Sequence, residues 1–367
     1  MIKRTIRFLF LAGIGYLSCF FVLFFSAELS EGIRNGIELC MNLVIPSTFL
    51  FLILSQLLSS TSFSFAMARP FSFLSRLFRI PKSAVRIFLL SLIGGYPVGA
   101  ALLAEEVKHH FISEKTASRM LCFCTNCSPS FLITGIGTII LKNTSAGVLI
   151  WTCEIISCFV LAFFSRFFAK ADEKSSYSKI TPLSFSTALV QSVHRSVSSM
   201  AVICAFVLIF AAMTPALLSF FKECAFPQSF CGVICGMIEV SNGCKLIEEN
   251  LFHDALTTAA LFSSFGGLCV FLQIIAILKG TNISVKPLLQ SRFLHCGISI
   301  FLLKPLSHLF FHGSKEVFTV SASETISVAS SPEAVLVLML LAIMLLFFTE
   351  KPATMKILKK KARKSLS

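Results

Sequence analysis

Over 367 residues, a hydrophobic share of 55% against 14% charged, with 40 Phe and a mean hydropathy of +0.84, excludes a water-soluble globule and predicts a polytopic, all-α membrane protein. The formal charge of +14 would suit nucleic acid, but the basic residues cluster between apolar runs as they do in membrane proteins, so a lipid bilayer is the expected partner and nucleic acid is not.

Crossing the hydrocarbon core takes about 20 apolar residues. On that measure eight spans are predicted, near 8–26, 41–60, 120–140, 145–165, 198–221, 255–278, 292–311 and 333–349, with two shorter, broken segments near 87–104 and 226–247. The first span follows Lys3, Arg4 and Arg7 and has the look of a signal peptide. Ser26-Ala27-Glu28 is a poor cleavage site, however, and the helix is read as retained.

The segment Leu89–Leu103 carries Gly94, Gly95, Pro97 and Gly99 in its middle, around Tyr96. Proline removes a backbone donor and glycine tolerates left-handed dihedrals, so the run is expected to fold into two arms around a Gly94-to-Gly99 tip. Unpaired backbone at membrane depth is tolerated where it is buried in protein or lines a polar cavity, which makes this tip a candidate site. A kink that only lets helices pack closely is the other reading.

Helix 120–140 carries Thr125-Asn126-Cys127-Ser128-Pro129. Pro129 frees carbonyls that, with the Asn126 amide, could hold a polar solute; repair by neighbouring Ser and Thr is the alternative. Cys122, Cys124 and Cys127 form a C-x-C-x-x-C cluster without a fourth ligand, and neither a metal nor a cofactor is expected. The 14 Cys lie mostly in apolar runs and read as small, reduced packing residues. Glu154 sits inside an apolar span with no basic neighbour in sequence, so it is protonated, paired across the bundle, or a proton carrier. The second broken segment holds Glu239, Ser241, Asn242 and Gly243, with Lys245 or a cation from outside as the expected companion of Glu239. Gln273 and Lys304 are weaker candidates.

Of the 32 Lys and Arg, 26 fall in segments that a positive-inside assignment places in the cytoplasm, Arg86 and Arg292 among them. Both termini are then cytoplasmic, residue 75 is inside and residue 320 outside. The first broken segment re-enters from the cytoplasmic face and the second from the outer face. Residues 92–103 align weakly with 236–247, with Gly99 over Gly243. A unit of helix, re-entrant hairpin, helix, helix crosses the membrane an odd number of times, so its second copy is inverted, an arrangement that places a substrate site near the midplane. The chain is therefore divided into a first helix (1–27), a first repeat (28–180), a second, inverted repeat (181–311), an outer loop (312–332), a last helix (333–350) and a basic tail (351–367).

Gly94-Gly95-Tyr96-Pro97-Val98-Gly99-Ala100 together with Cys124-Thr125-Asn126-Cys127-Ser128-Pro129 resembles the sporulation integral membrane protein YlbJ family, whose members carry a nucleoside-recognition, or Gate, domain. The resemblance implies an architecture related to concentrative nucleoside transporters, and a role in spore formation in the cell membrane, the forespore or the mother-cell membrane. The sequence carries no phosphate loop, H-E-x-x-H or G-x-S-x-G, so no enzyme is expected. Two functions follow. One is a permease for a small polar or nucleoside-like solute, coupled to H+ or Na+ through Glu154 or Glu239 and compatible with a homo-oligomer. The other is a non-transporting scaffold or receptor in spore envelope assembly.

Overall fold

The first long helix, α1, runs unbroken from Ser26 to Ser60, well ahead of the span expected over 41–60. Its early turns carry Glu31, Arg34 and Glu38 on an exposed side, which depresses the hydropathy, while Gly32, Gly36 and Leu39 share the opposite, buried face at helical spacing. A wide π turn at Cys40–Val44 lets the helix continue past Pro46 without a break. The computed structural model describes residues 22–61, 63–169, 184–248 and 254–310, plus isolated positions 13, 16 and 20, with backbone only at 309 and 310. All of these lie within one unit, Met1–Ser321. Most of the span 8–26, the outer loop, the last span and the basic tail fall outside the described residues.

Short helices α2 (Phe63–Ala68) and α3 (Phe73–Phe78) lead into a hairpin of α4 (Val85–Gly94) and α5 (Tyr96–Lys108). Next come α6 (Glu114–Cys124), a π-wound α7 (Phe131–Ile140) and α8 (Thr144–Ser165). The second half follows. It consists of α9 (Phe185–Glu223), a second hairpin of α10 (Gln228–Ile238) and α11 (Val240–Glu248), then α12 (Ala255–Phe265), α13 (Gly267–Ile277) and α14 (Lys286–Phe310). Among the described residues every regular element is helical, and four helical stretches are long and apolar enough to cross a membrane: Ser26–Ser60, Thr144–Phe168, Phe185–Glu223 and Ala255–Ile277.

The helix expected over 120–140 is two helices. The backbone leaves the helix over 125–128 and re-enters it at Pro129. Proline disfavours the helical region for the residue before it and suits the first helical position, so Ser128 becomes an N-cap, its Oγ accepting from Phe131 N at 3.2 Å. The span expected over 255–278 also breaks, at Gly266 and Gly267, whose φ values of 83° and 72° belong to the left-handed region that glycine adopts at low cost.

Two apolar clusters hold these pieces. One is built on Phe78, Phe88, Phe123 and Phe159, with Phe88 edge-on to Phe78 and Phe159 at 5.4 and 5.2 Å, and it anchors the first hairpin. The other gathers Leu132, Ile136, Leu149, Ile150 and Phe262 and anchors α11 of the second hairpin.

Candidate functional site

Each hairpin turns on a single residue between two helices: Gly95 in the first, Glu239 in the second. Gly95 has φ 81°, so the turn there requires glycine or a strained substitute. Pro97 lies in the first turn of α5, where its missing N–H costs nothing. The bend is thus sharper than the six-residue tip expected from the sequence, and Gly99 sits one turn into α5. There the carbonyl of Cys124, at the end of α6, occupies the space a Cβ would need.

At the second tip both carboxylate oxygens of Glu239 accept backbone hydrogen bonds, from Ser241 N at 3.0 Å and Asn242 N at 2.7 Å. Glu239 therefore caps α11, its negative charge set against the positive helix end. Lys245 is not its companion, since it bonds Asn35 Oδ1 at 3.1 Å.

The two tips share a cavity of about 80 Å³, lined by Gly94 to Pro97, Ser128, Glu239, Val240 and Ser241, with Thr48 of α1, Ile203 and Val207 of α9, and Gln273 of α13 completing much of the wall. Among the described residues its lining holds one carboxylate, Glu239, and no Lys, Arg or His. Seven of the expected site residues thus meet here, Gly94, Gly95, Tyr96, Pro97, Ser128, Glu239 and Ser241, joined by the weaker candidate Gln273.

The remaining candidates support the tips without lining the cavity. Thr125 Oγ1 donates to Leu121 O at 2.7 Å and the Asn126 amide to Phe123 O at 2.9 Å, so these side chains satisfy the end of α6. Asn126 Oδ1 and Asn242 Nδ2 are buried without a hydrogen-bond partner. Gly243 lets α11 approach Gly236 and the Phe262 ring.

A second polar cluster lies on the other side of Tyr96, whose hydroxyl donates to Ser263 O near the end of α12. Beside it, Ser264 Oγ donates to Glu154 Oε1 at 3.3 Å, and His295 Nε2 lies 3.9 Å from Glu154 Oε2 and 3.8 Å from Cys158 Sγ. Arg292, only 2% exposed, donates to Cys122 O at 3.1 Å, Thr125 Oγ1 at 3.4 Å and Ser264 O at 3.4 Å. Glu154 therefore takes its hydrogen bond from α12 and has His295 of α14 beside its second oxygen, which no donor among the described residues bonds. Sequence reading missed Arg292 and His295, counting Arg292 among loop cations because Lys286 lies close by. The signal was there: Ser291, Arg292, His295, Cys296 and Ser299 are all buried and fall on one helical face of an apolar run. Arg86 is a second such case, paired with Glu106 inside the protein instead of lying in a cytoplasmic loop.

Long apolar helices, interrupted helices meeting at buried polar groups, and the absence of strands among the described residues define an all-α membrane protein. The chain is similar to "Sporulation integral membrane protein YlbJ" of Bacillus subtilis (strain 168), with 24% identity over 345 residues covering 82% of this chain and 83% of that protein. This supports the YlbJ family to which the two motifs pointed. No family model and no solved structure matches the chain.

Proposed function

We propose that this is a sporulation membrane protein built as a permease for a small polar or nucleoside-like solute, with the shared cavity between the two hairpin tips as its binding site. The observation that carries the reading is that two tips far apart in sequence, Gly94–Pro97 and Glu239–Ser241, line the same cavity. Meeting half-helices are a recurrent way to build a solute site inside a bilayer. An inverted repeat fits the order of elements, since the weak alignment of 92–103 with 236–247 sets Gly95 over Glu239, the turning residue of each hairpin. Its two halves enter from opposite faces, with both termini cytoplasmic. Sporulation comes from the name of the relative.

A volume of about 80 Å³ is below the ~150 Å³ of a cavity that takes benzene. A nucleoside-sized solute therefore enters only when the tips part, which is the motion a permease needs. Glu239 is the recognition group, and the Glu154 cluster is the place for proton exchange.

The test is a thermal-shift screen of the purified protein against nucleosides and other small polar solutes, because a ligand of the folded state raises its apparent stability. The expected result is a hit whose shift disappears in Glu239→Gln and persists in Glu154→Gln, with the pH dependence of uptake lost in the latter. No hit across the panel, with both variants behaving like the parent and the protein copurifying with spore envelope proteins, would make it a scaffold.

A further inference from the structure

We infer that Arg292 is a built-in cation at the crossing of two broken helices, supplying with a tethered guanidinium the positive charge that a bound metal ion would otherwise supply. The last carbonyls of a helix have no partner within it and carry the negative end of its dipole. At the end of α6, Leu121 O accepts from the Thr125 hydroxyl, Phe123 O from the Asn126 amide, and Cys124 O is packed against Gly99. Cys122 O is left, and it accepts from Arg292 Nη2 at 3.1 Å. At the end of α12, Phe262 O accepts from Gly266 N at 2.9 Å and Ser263 O from the Tyr96 hydroxyl, which leaves Ser264 O for Arg292 Nη1 at 3.4 Å.

One planar guanidinium thus joins two helix ends that no backbone bond joins. A lysine ammonium, a point charge on a flexible stem, does not reproduce that fork. Glu154 of α8 stands beside the crossing and is linked to Arg292 through Ser264, whose Oγ donates to Glu154 Oε1 at 3.3 Å and whose carbonyl accepts from Arg292 Nη1 at 3.4 Å. Half-helix ends inside membrane transporters commonly gather Na+ or H+. With Arg292 in place this crossing takes no metal cation, so a sodium requirement has no site here. The inference stands whether the protein moves a solute or acts as a scaffold, because it concerns what holds the crossing together.

The experiment uses the purified full-length protein and follows thermal unfolding in NaCl, KCl and choline chloride at equal ionic strength. The parent is expected to melt at the same temperature in all three. Arg292→Ala should melt roughly 10 °C lower, as loss of one partner of a buried charged set does. Millimolar guanidinium chloride should restore part of that loss while leaving the parent unchanged. Arg292→Lys should fall between the two and ignore guanidinium. Should Arg292→Ala not fold, the double variant Arg292→Met with Glu154→Gln removes both ionisable groups and should melt closer to the parent than Arg292→Lys does. A parent stabilised by Na+ but not by choline, an alanine variant as stable as the parent or unmoved by guanidinium, or a double variant no better than Arg292→Lys would each overturn the inference.

Discussion

The first hairpin is pinned at its open end, where the buried side chains of Arg86 near the start of α4 and Glu106 near the end of α5 form an ion pair; the second carries its charge at the tip, on Glu239. At the first tip the turning residue is Gly95, and no side chain caps α5. The second tip supplies its own cap, and the end of α11 is tied outward through the exposed pair of Glu248 with Lys142. The same hairpin shape is thus held by charge at opposite ends. The first is built to keep its arms together, and the second to present a carboxylate to the cavity.

Removing one partner of a buried ion pair leaves the other uncompensated, so Arg86→Ala should cost about 3 to 5 kcal/mol and most of the folded protein in membranes. Yield and thermal unfolding would show it, and a neutral result would mean that the first hairpin is not held at its base. Gly99→Leu comes next, at about 3 kcal/mol, because the new side chain meets the Cys124 carbonyl and must displace backbone. Gly13→Leu is its control, since among the described residues nothing lies within 4 Å of a Cβ at Gly13, and it should be tolerated.

Glu239→Gln removes the charge but keeps an acceptor at the cap. Its stability cost should be about 1 kcal/mol, with a larger loss in solute binding. A binding loss no greater than the stability loss would reduce Glu239 to a cap. Lys142→Ala should change stability by less than about 1 kcal/mol, because its ion pair with Glu248 is about half exposed and screened. A cost near that of Arg86→Ala would erase the contrast between the hairpins.

Both tips were legible in the sequence because glycine, proline and a lone carboxylate in apolar runs are local anomalies. The break at 125–128 was half legible. Pro129 marked it, but whether proline kinks a helix or starts a new one depends on what satisfies the freed carbonyls, here the Thr125 hydroxyl, the Asn126 amide and Arg292. Gly266 and Gly267 went unread, since glycine is common inside membrane helices and positive φ leaves no trace in hydropathy. Arg86 and Arg292 went unread as buried groups because counting cations by loop assumes that a cation near a loop lies in it, whereas each is buried and bonded to another helix.

That the two tips face one cavity can be tested most directly with paired cysteines in a background whose native Cys are replaced, Pro97→Cys with Ser241→Cys, treated in membranes with thiol-specific bifunctional reagents of increasing length. Pro97 and Ser241 both line the cavity, so the pair should be joined by a short reagent, and a bound solute should slow the reaction. If no reagent joins the pair while each single cysteine still reacts, the tips do not meet and the permease reading falls with them.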